Sequence, residues 1–301
     1  MTRCESALEA ISDEFSWSKF SLHIAAIREF LDPQWKCCHS SYPFKVWKGF
    51  LAVYFTVWLL LDLAYLPRDF TIKPDRKYLI YLTNWTYLLF TLYTIVAAVN
   101  CCTYREPKHS EARKPDRLLW PLRLQWMLWN VGAISTVGVM ILYWTLLGEN
   151  LSVFSVHKHM LNGIVIVIDH CFIAMPVHLL HVYQSMVYGV FYSVFTAVYF
   201  LSDRTIVPIY KFLDFKNNLG LAVGTEAAVV FVLLPLLHFC FWMLFKLRLY
   251  IAQNAGTPRP DGPDPTYRIP APITLAKPPT GPRPIFVFTV EDVDADKEDN
   301  K

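Results

Sequence analysis

Charged residues are scarce in this chain. Asp, Glu, Lys and Arg make up 18% of its 301 residues, where soluble domains carry about 25%. The net charge is only +3, so the basic field that nucleic-acid binding needs is missing and no nucleic-acid partner is expected. Glycine is thin as well, at 11 residues, and no glycine-rich phosphate loop or nucleophile elbow occurs. The 7 cysteines are an odd number without a CxxC repeat, which argues against both a disulfide framework and a zinc ribbon. The opening residues contain Glu5, Glu9, Asp13 and Glu14 and no apolar core. They therefore lack a secretory signal pattern, and the first apolar helix is expected to act as the insertion signal.

Apolar and aromatic residues fill the space that charge leaves. Hydrophobic residues reach 54%, mean hydropathy is +0.30, and 10 Trp and 16 Tyr are present, as suits rings at headgroup depth. A helix needs ~20 apolar residues to cross the hydrocarbon. Six such stretches are expected near 48–66, 79–100, 124–147, 160–177, 183–201 and 226–248. The fourth is short, and Pro176 and His178 mark its end, so the fourth and fifth spans are expected to form a tight hairpin. The fold class is an all-α integral membrane bundle of about six transmembrane helices, residues 46–250. Residues 1–45 precede it with an amphipathic helix over 16–31, on which Phe20, Ile24, Ile27 and Leu31 fall at helical spacing. Residues 251–301 form a Pro-rich, acidic tail that is too polar to offset its ordering entropy and is expected to be disordered.

Lys and Arg near helix ends set orientation. Lys36, Lys45 and Lys48, the basic run from Arg105 to Arg123, and Lys246 with Arg248 share one side, which places both termini in the cytosol. The vicinal pairs Cys37–Cys38 and Cys101–Cys102 then face the cytosol as candidate palmitoylation sites. The sequon at Asn150 faces outside as a candidate glycosylation site. In the tail, Pro260-x-x-Pro263 and Pro279-x-x-Pro282 fit the spacing of ligands for a polyproline-binding domain. Membrane lipids and other membrane proteins are the remaining expected partners.

A polar group in hydrocarbon is costly unless paired, so those inside the spans are the most informative. His159, Asn162, Asp169 and Pro176 fall at helical steps and are expected to share one inward face, with Asp169 requiring a donor. Thr83, Tyr87, Thr91 and Thr94 form a second stripe, beside Asn84. His157, His159, His170, His178 and His181 crowd a short stretch, but their spacing fits no closed metal site. No metal or other cofactor is expected.

Several of these runs carry a resemblance. Leu82-Thr83-Asn84-Trp85-Thr86, Gln125-Trp126-Met127-Leu128-Trp129-Asn130, His159 with Asn162 and Asp169, and Pro176 through His181 to Tyr183 resemble, in order and spacing, the rolling stone family. The resemblance covers roughly residues 45–250. It implies a multi-pass plasma-membrane protein with a role in cell–cell fusion, since the founding member is a fly protein needed for myoblast fusion. A second set of residues is similar to the androgen-induced membrane hydrolases of fatty-acid ester lipids. Their nucleophilic Thr follows a Leu, as Thr83 follows Leu82, and their catalytic His precedes an acid by ten positions, as His159 precedes Asp169. Asn84 stands where that family has an aromatic. This similarity implies Thr83 and His159 as a catalytic pair, with Asn84, Asn162 and Asp169 as a supporting polar cluster. The contrasting expectation is that the same residues only hold helices together. A transporter is the third expectation, although the sequence lacks the paired broken helices and inverted repeat of many transporters.

The tail is expected to be dispensable for insertion. A chain truncated after Gln253 should resist carbonate extraction from membranes as the full chain does; release of the truncated form would contradict this reading.

Overall fold

A computed structural model of the chain describes residues 12, 14–22, 27–35, 42–65, 78–104, 120–147, 152–202 and 207–255. Residues 251–254 of the expected tail belong to the last helix; the rest of it from 256 on, the Cys37–Cys38 pair and Asn150 lie outside the described residues. The described residues form helices and turns, joined by one isolated antiparallel bridge between Pro33 and Ile173. Helix α1 is Tyr42–Tyr65, α2 Leu82–Thr103 and α3 Trp120–Leu146. Helix α4 is a composite run over 153–172: Val153–Val156, a π turn at His157–Leu161, then Asn162–Phe172. Helix α5 is Val182–Ser202. Helix α6 runs Leu219–Ala228, a second π turn at Val229–Leu233, and Leu234–Asn254.

Five of these helices, all but α4, are long and apolar enough to cross a membrane. Helix α3 is central and touches α2, α4, α5 and α6. Its midsection, including Trp126, Trp129, Ala133 and Ile134, is fully buried. Gly132 lies where an added Cβ would sit 3.8 Å from the Phe90 backbone, so α2 and α3 approach closely there. Large apolar side chains face outward on α1 (Val53, Val57, Leu60), α5 (Val187, Phe191, Val194) and α6 (Phe231, Val232, Leu236), as lipid contact demands.

The fourth expected span is the one the structure alters. The helix stops at Phe172, and Ile173 turns extended with φ −71° and ψ 144°. Pro176 bars the helix from continuing: it lacks the amide hydrogen that would bond Phe172 O, and its ring pushes Met175, the residue before it, out of the helical region. Instead of a tight helical hairpin, residues 173–178 run extended through the protein interior, with Ile173, Ala174 and Val177 at 0% exposure. Extended backbone at such depth is tolerated only where protein groups satisfy it. Here long side chains do so. Arg248 donates to the carbonyls of His170 and, at 2.9 Å, Met175. Trp126 Nε1 donates to Pro176 O at 2.9 Å, and His238 Nε2 meets His178 O at 2.8 Å. From the N-terminal segment, the Gln34 amide donates to Phe172 O at 2.8 Å and Trp35 Nε1 to Cys171 O at 2.7 Å.

That N-terminal segment is not one amphipathic helix over 16–31. Its described residues make a 3-10 turn at Trp17–Lys19 and a single helical turn at Arg28–Leu31. Non-helical backbone at Phe20–Leu22 separates them. Tertiary contacts override the periodicity, because Phe30 and Leu31 bury in the core and Gln125 Nε2 donates to Phe30 O at 3.2 Å. Glu14 anchors the segment's start. It pairs with Lys246 at 2.9 Å, with Lys19 at 3.5 Å and with His178 at 3.5 Å. Burial alone pushes the Glu14 carboxyl up, but His178, Lys246 and Lys19 outweigh it and hold it well below the usual carboxylate range.

Arg248→Met should lower the melting temperature of the detergent-solubilised protein, because each buried carbonyl left unpaired costs about 1–3 kcal/mol. Arg248→Lys should lose less, keeping one donor. Melting equal to wild type in both variants would remove Arg248 as the support of the extended segment.

Candidate functional site

Three groups of polar side chains are held inside the bundle. The deepest centres on Asp169, at 0% exposure on α4. Lys48 of α1 approaches both carboxylate oxygens, at 2.7 and 2.6 Å. Tyr93 of α2 donates to Oδ2 at 2.8 Å, and Trp47 Nε1 donates to Oδ1 at 2.9 Å. Lys48 Nζ also reaches Tyr93 OH at 3.1 Å. The donor that Asp169 requires is therefore a lysine expected from the sequence to flank the membrane. Lys48, 1% exposed, and Arg248, 4% exposed, are both interior residues, so neither can act as an orienting surface charge.

The second group joins α1, α2 and the π turn. Lys158 forms an ion pair with Asp62 of α1 and donates to Asn84 Oδ1 at 2.9 Å. Asn84 Nδ2 in turn donates to Tyr78 O at 2.6 Å. One residue earlier, His157 is buried, with Nε2 at 2.8 Å from Tyr87 OH and its ring stacked on Trp58 at 4.2 Å. An extra residue in the π turn rotates what precedes it by ~100° relative to an unbroken helix. For that reason His157 takes the inward position. His159 leaves the face of Asp169 and stacks flat on Tyr143, ring centroids 3.5 Å apart. Asn162 is buried too, but its Oδ1 accepts only from the next amide, Gly163 N, at 2.9 Å. The cluster expected from Asn84, Asn162 and Asp169 is thus three separate environments.

The third group surrounds a cavity of about 90 Å³ between α3, α5 and α6, closed by the start of α2 and residues 210–213. Thr83 lines it, as does Tyr210. Glu226 lines it as well and pairs with Thr196 Oγ1 of α5 at 2.6 Å. Tyr192 ties α5 to this end, donating to Ile80 O and accepting from Leu82 N, both at 2.9 Å. Among the described residues no hydrogen bond joins Thr83 to His159. Of the second cysteine pair, Cys101 is buried with its thiol toward Leu31 O at 3.7 Å, whereas Cys102 is exposed. No three His, Cys, Asp or Glu side chains among the described residues converge as metal ligands do.

Asp62, Lys158 and His157 were missed by sequence reasoning. An acid inside the apolar run of α1 was the available signal for Asp62. The π turn left none.

Removing one member of a buried ion pair costs about 3–5 kcal/mol, while an apolar replacement of both is far milder. Lys48→Met and Asp169→Leu should each destabilise the purified protein strongly, and the double variant by much less than their sum. Additive losses in detergent unfolding would mean the two groups are not coupled.

A family model described as protein rolling stone matches residues 4–254. Protein rolling stone of Drosophila melanogaster is 26% identical over 190 residues, covering 56% of this chain and 66% of that protein. No solved structure matches. With most of its length, and all its described helices, inside the matched region, the chain belongs to the rolling stone family.

Proposed function

We propose that the chain is a plasma-membrane protein with both termini in the cytosol. In this reading it serves cell–cell fusion, myoblast fusion where muscle exists, or a related membrane process. It does so as a rigid helical scaffold that engages other membrane proteins. One observation carries the scaffold reading: the interior charges are paired across helices, Lys48 with Asp169 and Lys158 with Asp62. Paired in this way, they fix the bundle. Family membership supports the link to fusion.

A second reading is an intramembrane Thr/His hydrolase of lipid esters, favoured by the position of Thr83 at the cavity wall. A Thr hydroxyl needs a base within ~3 Å to react, and among the described residues no hydrogen bond joins Thr83 to His159.

One experiment separates the two. Cells that express the chain are depleted of it and given back wild type, the Asp169→Leu variant, or the Thr83→Ala and His159→Ala variants. Depletion should lower the fusion index, and the scaffold reading expects Thr83→Ala and His159→Ala to rescue fully while Asp169→Leu does not. Fusion untouched by depletion sinks the fusion proposal. Failed rescue by well-folded Thr83→Ala, with loss of labelling by a lipid-like threonine-reactive probe, replaces the scaffold with the enzyme.

A further inference from the structure

The start of the N-terminal segment is built inside out. Its charges are buried: Glu14 and Lys19 lie in the interior and pair with each other at 3.5 Å. Its rings are not: Phe15 and Phe20 are exposed, and Trp17 is 84% exposed. A segment that faces water does the opposite, because taking an ion out of water is costly and covering a ring is favourable. A lone apolar residue on a surface needs no account. These three fall on one short stretch, however, and Trp17 meets Phe20 edge to face with ring centroids 5.5 Å apart.

The contacts of this stretch with α5 and α6 place it. Phe20 stacks on Tyr183, ring centroids 4.7 Å apart, and Tyr183 stands in the first turn of α5. With its 21 residues, α5 is about 32 Å long at 1.5 Å per residue, close to the ~30 Å of hydrocarbon that a span crosses. Its first turn therefore stands at the edge of the hydrocarbon, and Phe20 stands there with it. One turn further along α5, Val187 faces outward. At the other end of the stretch Glu14 pairs with Lys246 of α6 at 2.9 Å, where Met243 and Leu247 face outward. The ring patch thus continues the lipid-facing surfaces of both helices at the level where hydrocarbon ends.

We propose that Phe15, Trp17 and Phe20 form an interfacial anchor, whose partner is the headgroup and glycerol layer of the leaflet beside them. Trp suits that layer in particular, with a flat apolar body and one N–H that needs a polar neighbour. The segment is then held from two sides, by the ion pairs of Glu14 within the bundle and by lipid around its rings. The anchor is independent of the fusion and hydrolase readings, and of which side of the membrane carries the termini.

Depth-dependent quenching of the full chain in phosphatidylcholine liposomes tests it. The fluorescent amino acid Anap replaces Trp17 in one chain. In a second it replaces Phe191, which faces outward about 14 Å along α5 from its start. The liposomes carry phosphatidylcholine with a doxyl quencher either near the glycerol or near the chain end. At position 17 the shallow quencher should act about twofold more strongly than the deep one, as expected of a ring at headgroup depth, and at position 191 the order should reverse. Phe15, exposed as well, takes the label if the chain labelled at 17 does not fold. Quenching at 17 by aqueous iodide and by neither lipid would overturn the proposal, since the rings would then face water. Protection from iodide and from both lipids would overturn it in favour of a protein partner or a second copy of the chain. Stronger quenching at 17 by the deep label would overturn it too, placing the rings in hydrocarbon.

Discussion

In hydrocarbon no water is available, so every backbone polar group of a spanning chain must find its partner within the protein, and a charged side chain there must be paired. That constraint organises this bundle. Asp169 is tolerable on α4 only because α1 brings Lys48 and Trp47, and α2 brings Tyr93. One carboxylate thereby fixes the rotation of three helices at once, a specificity that apolar side chains rarely give. The same rule explains the extended stretch 173–178. Its carbonyls cannot be left bare, and Arg248, Trp126 and His238 exist at those positions as replacements for a helix's own amides. The polar residues of this protein are thus used first to make an irregular path through the bundle possible.

Much of the architecture was legible in the sequence, because the signals for spans are local and add up. Each expected span from 48–66 to 226–248 has its helix, with the ends shifted by several residues. The early end of α4 was half visible, through Pro176. The inward face of α4 was not, since periodicity assumes an unbroken 3.6-residue turn and the π turn at His157–Leu161 breaks it. Pairings were illegible for a different reason. Lys48 and Asp169 are 121 positions apart, and nothing near either residue distinguishes a flanking lysine from a buried one. Thr83 was visible as a polar residue at a helix start; Tyr210, which shares its cavity wall, lies in a loop that carries no periodic signal.

The family assignment and the interior geometry bear on different levels. Membership in the rolling stone family rests on the matched region, residues 4–254, and ties the chain to the membrane. The paired charges speak to how the bundle keeps its shape.

The N-terminal strap has a consequence for biogenesis. Glu14 and its partner Lys246 lie 232 positions apart, and His178 stands in the stretch that follows the fourth helix. Phe30 and Leu31 settle against α2 and α3, through Trp126, Gln125 and Cys101, whereas the Glu14 end of the strap has no complete docking site until α6 is in the membrane. The strap therefore docks in two parts, its apolar end on helices made early and its charged end on the last one.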